Sequence, residues 1–311
     1  SIKRFIRIAA QRILPSFRKK NDAIIINSYL PKNEEIKLQI RLGQCPQFWQ
    51  SPQLQFVRPD PNLRQRLGVA TANREGFERY VRQQLPEVIP TCYLEGYGAL
   101  VQQVKSLSWP SEPRFIFTSN NFDTDEVFKA WTGSHAERGV PYFTGQHGNN
   151  YGTLLGSEDW PEVVTCDKFL TWGWTNGSPR NVPAFIFKTA GAPLRRGPST
   201  GGLLLIELCI PHRIYPWDSC FEFGMYQDEQ FRFVAALPEK IREELTVRLH
   251  SEYRRHDWSE EERWKDFNPL VRLESGTTPI RSLIAQSRLI LHSFDSTGVL
   301  ETLSSNIPTM C

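Results

Sequence analysis

The sequence predicts an α/β protein of two doubly wound halves, and three of its features carry that expectation. Short apolar runs rich in Ile, Leu and Phe recur along the chain, several ending in small polar residues, as buried parallel strands do. Segments with helical spacing of apolar residues alternate with them, which argues for βαβ units rather than a sandwich or a bundle. A tract from 177 to 201 concentrates Gly, Pro, Ser and Arg and separates two such sets, as an interdomain linker does. The halves are therefore expected at 1–195 and 202–311, and 311 residues are enough for each to bury a core.

Taken in order, the first twenty residues carry seven Lys or Arg and no acid, with Ile2, Phe5, Ile6, Ala9, Ile13 and Phe17 at roughly helical spacing. They predict a basic amphipathic helix that either packs on its own domain or rests peripherally on an anionic membrane face. Ala23–Ser28 reads as a buried strand, 74–84 and 96–107 as helices, and Arg114–Ser119 as a strand. After Asn120–Thr124 a helix is expected over Asp125–Ala136, with Asp123 or Thr124 as its N-cap. Pro141–Thr144 is a strand running into the glycine-rich loop Gly145–Gly152, and Asp167–Trp172 is another strand.

Beyond the tract at 177–201, Gly202–Ile210 and Leu245–Leu249 read as strands, 227–244 as helical, and 256–266 as a charged helix or loop. Ile280–Gln286 is a short helix, Arg288–His292 a strand, Ser293–Gly298 a loop and Val299–Ser305 a helix.

Composition narrows the classes. A net charge of +3 is too small to argue for nucleic acid, and no apolar run approaches the ~20 residues that span a bilayer. The six cysteines (Cys45, Cys92, Cys166, Cys209, Cys220, Cys311) form no CxxC pair and no zinc-like spacing. Several sit in apolar surroundings, as small buried hydrophobes do, and that usage fits a reducing, cytoplasmic location.

In sheets of this kind ligands bind at the carboxyl ends of strands, and three polar clusters fall there. In His292–Glu301, Ser296, Thr297 and the amides from Gly298 onward would converge near the positive end of a helix, a ready anion site. His292 would donate to a phosphate oxygen, Gly298 would allow close backbone approach, and Glu301 would accept from ribose hydroxyls. The competing reading is an N-capped helix after a buried strand. There is no GxxxxGK[ST] and no GxGxxG in the chain, so an ATPase and a nicotinamide dehydrogenase lose ground.

The second cluster, Gly145–Gly152, aims Gln146, His147, Asn149, Asn150 and Tyr151 from a compact loop that also contains Gly148. The third is acidic: Asp123, Asp125 and Glu126, with Glu95 elsewhere beside aromatics and glycines. One carboxylate would serve as nucleophile or base and a second would assist, unless the acids only complement a helix dipole. Arg213, and Arg248 with His250, follow strands of the second half and would neutralise a phosphate or a carboxylate. Asp123-Thr124-Asp125 is a DxD string, read here as coincidence because that motif belongs to a single-domain architecture. No metal site is expected.

The segments TSNNFDTDEVFKAW, GQHGNNYG, FLTWGW and LHSFDSTGVLETLSSNIPT resemble the motifs of a bacterial surface-polysaccharide transferase family from O-antigen clusters. That family is similar to the retaining β-Kdo transferase module of WbbB-type proteins, and the resemblance covers the chain from about Ile24 to Cys311. It implies a GT-B-like fold, two Rossmann-like doubly wound domains facing a cleft, with the nucleotide in the C-terminal half and the acceptor and catalytic acids mostly in the N-terminal half. It implies CMP-Kdo as donor substrate, no cofactor, and a glycan acceptor that is free or lipid-linked.

Such enzymes often carry a His-Pro pair and a Ser/Thr pair on the cytidylate phosphate; here His292 is followed by Ser293, and Ser296-Thr297 supplies the hydroxyls. A β-linked product from CMP-Kdo requires net retention, hence a carboxylate nucleophile. Asp125 is the first candidate, Asp123 the second and Glu95 the third. His147 would orient or protonate at the reacting centre, and Gln146, Gly148 and Tyr151 would line the pocket. Two other readings stay open: a sugar-nucleotide epimerase or hydrolase of the same shape, and a carbohydrate-binding or assembly module without chemistry.

Overall fold

The computed structural model describes residues 17–66, 75–195, 201–209, 223–256 and 258–311. Most of the expected basic helix (1–16), residues 196–200, Arg213 and Cys220 lie outside the described residues. The chain divides into two compact units. Unit 1 comprises residues up to His147 together with Leu154–Phe187; unit 2 comprises Gly148–Thr153 with Lys188–Cys311. Each is a parallel sheet with helices, so the α/β fold class holds and each unit is Rossmann-like, as a GT-B-type protein requires.

Unit 1 contains β1 (Ile24–Ile26), β2 (Ile116–Thr118), β3 (Tyr142–Gly145), β4 (Lys168–Thr171) and β5 (Asn181–Pro183), all parallel and side by side in sequence order. The first strands are apolar because both faces are covered: Ile24, Ile25 and Ile116 are at most 1% exposed. Between them lie α1 (Lys32–Arg41), α2 (Pro61–Arg66), α3 (Gly76–Val88) and α4 (Tyr97–Lys105), then α5 (Asn121–Thr124), α6 (Glu126–Ala136) and α7 (Pro161–Val164).

Two expectations for unit 1 are corrected. The cap of α6 is Asp125, which accepts from the Phe128 amide at 2.9 Å, and not Asp123 or Thr124. Those two residues belong instead to the one-turn helix α5, set up by Thr118 Oγ1 accepting from the amides of Asn120 and Asn121. The tract at 177–201 is also more than a connection. It supplies the edge strand β5 and a 3-10 turn at Phe187–Thr189, whose Phe187 packs with Ile25 and Phe117 in the core. A strand of sequence Asn-Val-Pro carries no apolar run, and proline is tolerated only at such an edge.

Unit 2 contains β6 (Leu203–Ile206), β7 (Thr246–Arg248), β8 (Arg272–Glu274), β9 (Leu289–His292) and β10 (Thr309–Met310), again all parallel. Its order is β10-β9-β6-β7-β8, so the winding reverses between β6 and β9. Helices α8 (Phe223–Ala236), α9 (Glu239–Glu243), α10 (Tyr253–His256), α11 (Glu260–Phe267), α12 (Ile280–Gln286) and α13 (Thr297–Ser304) complete it. The core gathers Leu203, Leu205, Val234, Val247, Leu249 and Leu291 around Trp264, which is fully buried edge-on to Phe231 at 4.8 Å. Among the described residues, no helix is long and apolar enough to cross a membrane.

Candidate functional site

Open parallel sheets bind ligands outside the carboxyl ends of strands where the winding order reverses. In unit 2 that place is the end of β6 and β9, paired in register through Ile206 and His292. His292 is 3% exposed. Burial pulls its imidazole below the usual histidine range, so it is neutral at pH 7. Its Nδ1 lies 3.4 Å from the Ser296 hydroxyl, and its Nε2 has no hydrogen-bond partner among the described residues. If Nδ1 accepts from Ser296, Nε2 carries the proton and is a buried donor without an acceptor. Leaving such a donor unmet costs about 1–3 kcal/mol, which a ligand oxygen would offset.

The helix α13 starts directly after this histidine. Ser296 is in the N-cap position with extended backbone (φ −130°, ψ 158°), yet its side chain makes no capping hydrogen bond. Its hydroxyl and the first-turn amides are therefore presented together at the positive end of the helix. Gly298 is what lets the imidazole reach this corner: a Cβ there would fall 2.6 Å from His292 Cε1. Ser293 is committed otherwise. It donates to the Ile206 carbonyl at 2.8 Å and meets the Tyr226 hydroxyl at 2.5 Å, while Tyr226 accepts from the Leu208 amide at 2.8 Å. That chain ties the ends of β6 and β9 together, so Ser293 positions the loop.

Part of the glycine-rich loop belongs to this same corner. Asn149 donates to Asp295 at 2.6 Å, and the Cβ position of Gly148 is 3.7 Å from Thr297 Oγ1. Tyr151 is buried, 3% exposed. Two motifs read separately in the sequence are thus brought together: Gly148–Thr153 packs beside Asp295 and Thr297. Glu301 is one turn further along α13, in an ion pair of 3.2 Å with Lys188. Arg248 faces Glu274 at 3.5 Å, so its charge is already matched.

In unit 1 the carboxyl ends of β1, β2 and β3 form the corresponding edge. His147 follows β3, and its ring is 5.9 Å from that of Tyr29 and 5.8 Å from that of Phe122. Asn120 donates to the Tyr29 hydroxyl at 3.4 Å. The turn after β1 is strained: Asn27 and Tyr29 both adopt positive φ, 47° and 62°. A left-handed non-glycine residue costs on the order of 1–3 kcal/mol and clusters at functional sites. Sequence alone does not single out Ser28, Tyr29, Asn120 and Phe122, because residues that follow a strand look the same whether or not their backbone is left-handed.

Gln146 is 1% exposed and its Oε1 accepts from the Trp172 amide and from Trp174 Nε1, both at 2.8 Å. It braces the end of β4. The preceding Gly145 is required by packing, since a Cβ would meet Phe187 at 2.5 Å.

The three carboxylates separate by environment. Glu95 is clamped by Arg64, Nε to Oε1 at 2.6 Å and Nη2 to Oε2 at 2.9 Å, and accepts from the Asp60 amide at 2.9 Å. The guanidinium holds its pKa down to about 2. Arg64 also donates to the carbonyls of Pro86, Glu87 and Ile89, so the pair staples α2 to the end of α3. Asp125 accepts from Phe128 N through one oxygen and from Asn121 Nδ2, at 2.7 Å, through the other. It also borders a cavity of about 230 Å³ lined by Ser51, Pro52, Leu54, Thr124, Glu126 and Val127. Asp123 is exposed. No group of three or more His, Cys, Asp or Glu able to hold a metal ion occurs among the described residues.

A family model described as LIC12162 family transferase matches residues 1–311. No curated protein and no solved structure matches the chain.

Proposed function

The chain belongs to the LIC12162 family of transferases, and we propose that the group it moves is Kdo, taken from CMP-Kdo and passed with retention to a surface-polysaccharide or lipid-linked glycan. The observation that carries this reading is the corner of β9 and α13. The Ser296 hydroxyl, which caps no amide of its own helix, the Thr297 hydroxyl, the first-turn amides and a buried neutral imidazole suit a phosphate that gains charge as it departs. In this reading the bond from the anomeric carbon to the CMP phosphate breaks while a carboxylate bonds to that carbon. An acceptor hydroxyl then displaces the carboxylate, which restores the original configuration.

Asp125 is the proposed nucleophile, because each of its oxygens carries one hydrogen bond and keeps a lone pair in a fixed rotamer. Asp123 is the second choice. Glu95 falls back, since a bidentate guanidinium and an amide saturate it. His147, in its aromatic setting, orients or protonates at the reacting centre. The donor is a substrate, and no cofactor enters.

The test is product formation from CMP-Kdo and an oligosaccharide acceptor, with wild type beside Asp125→Asn and His292→Ala. Asparagine keeps the helix cap while removing the nucleophile. Turnover should fall at least a hundredfold in Asp125→Asn, and nucleotide affinity about tenfold in His292→Ala, equivalent to about 1.4 kcal/mol. Wild-type rates in both variants would remove this site. Conversion of donor alone at the full rate would favour a hydrolase or epimerase instead.

A further inference from the structure

The proposed reaction leaves one proton without a destination. When the acceptor hydroxyl attacks, its hydrogen must go to a base as the new carbon–oxygen bond forms. In unit 1 the edge formed by the ends of β1, β2 and β3 holds one half-buried carboxylate linked to the strained turn. Glu35 stands in the first turn of α1, and its Oε2 accepts from the Ser28 hydroxyl at 2.5 Å. Ser28 is 1% exposed, and its position is over-determined. Its Oγ accepts from the Leu30 amide at 3.2 Å, its carbonyl accepts from Ser119 Oγ at 3.1 Å, and the Asn27 carbonyl accepts from the Ser119 amide at 3.1 Å.

The residues on either side of Ser28, Asn27 and Tyr29, both have positive φ. The turn therefore fixes the hydroxyl that donates to Glu35, and it also places the Tyr29 ring beside His147. A turn whose only task was to join β1 to α1 could place glycine at those positions without strain. Asparagine tolerates such an angle, but keeping tyrosine there points to a use for its side chain.

We propose that Glu35 is the base that takes the proton from the acceptor hydroxyl, held in place by Ser28 and the Asn27–Tyr29 turn. The step balances. The acceptor oxygen bonds to the anomeric carbon, the bond from that carbon to the carboxylate nucleophile breaks with its electron pair returning to the carboxylate, and the hydroxyl hydrogen passes to Glu35. Burial lifts the Glu35 carboxyl above its ordinary value, against the opposing Ser28 hydrogen bond and the Lys32 charge, which makes it a stronger base than a solvated carboxylate. The inference rests on the glycosyl-transfer reading above.

The experiment compares full-length wild type with Glu35→Gln, using CMP-Kdo, with octyl galactoside as the acceptor probe. Glutamine keeps an oxygen to accept from Ser28, so a merely structural role would leave every rate intact. A base is needed only when the acceptor attacks. The first release of CMP, one equivalent per enzyme, should therefore persist in Glu35→Gln, while steady-state transfer to the glycoside, or to water, drops at least a hundredfold. Azide, an anion that needs no deprotonation, should restore turnover in the variant at least tenfold and leave wild type unchanged. Unaltered steady-state turnover in Glu35→Gln, or failure of azide to rescue a slowed variant, would overturn the assignment of Glu35 alone. Absence of any CMP release by wild type would instead overturn the donor reading, and this inference with it.

Discussion

At the scale of single residues, two glycines beside Thr297 separate packing from ligand contact. A methyl at Gly298 would sit 2.6 Å from His292 Cε1 and 3.2 Å from its Nδ1, distances that force the ring to move. A methyl at Gly148 would meet Thr297 Oγ1 at 3.7 Å, an ordinary contact, and that glycine does not need a positive φ. Alanine in a helix gains up to about 1 kcal/mol over glycine, so Gly298→Ala need not lower stability even while it displaces the imidazole. The expected outcome is a melting temperature within a few degrees of wild type and CMP affinity reduced at least tenfold, measured by calorimetry. Gly148→Ala should fold as wild type, and any loss of CMP binding there would report backbone approach to the ligand. If Gly298→Ala binds CMP normally, the histidine has no part in the site.

At the scale of elements, α6 tests how a predicted nucleophile doubles as a helix cap. Removing an N-cap side chain costs about 1 kcal/mol, and Asp125 also orients Asn121 in the preceding turn. Asp125→Ala should therefore melt several degrees lower, whereas Asp125→Asn should hold its melting temperature and still lose transfer; equal melting of the two would mean that the cap contributes nothing. The strands legible in the sequence are those whose burial writes an apolar run: β1, β2, β6 and β9 lie where Ile, Leu and Phe cluster, and β3, β4 and β7 fall in the shorter runs at 141–144, 167–172 and 245–249. The edge strands β5, β8 and β10, with sequences Asn-Val-Pro, Arg-Leu-Glu and Thr-Met, were not legible, because a half-exposed edge needs no such run. The strand–turn–helix of His292–Ser304 could be read because its hydroxyls and glycine are contiguous. The Arg64–Glu95 staple and the Ser28–Glu35 contact could not, since one joins distant positions and the other depends on backbone angles that spacing does not encode.

At the scale of the whole molecule, Glu207 of unit 2 is the carboxyl raised furthest among the described residues, so mildly alkaline pH should weaken its surroundings more than the sheet of unit 1. In unit 2, Glu207 follows β6, is 4% exposed and accepts from Trp264 Nε1 at 3.0 Å, while its other oxygen has no partner among the described residues. Burial raises its pKa to about 8, the Trp264 hydrogen bond opposing and the nearby Glu260 adding to the rise. A raised carboxyl stabilises the fold fully below the unfolded pKa near 4.5, and that contribution fades as pH climbs through 8. The loss is on the order of a few kcal/mol. In unit 1, Glu95 is depressed to about 2, so its contribution is complete above the unfolded value and constant from pH 5 upward. The histidines His135, His250 and His292 are pulled below their usual range by desolvation, and their effect is confined to pH values under about 6.5. Between pH 7 and 8.5 the displaced carboxyl of Glu207 is therefore the main source of slope. Hydrogen exchange over Leu245–Leu249, in the core around Trp264, should quicken beyond the intrinsic base-catalysed rate across that interval, while β1 and β2 follow the intrinsic rate. Glu207→Gln should remove the difference, because an amide cannot ionise. Identical pH dependence in wild type and variant would mean that Glu207 is already ionised at neutral pH.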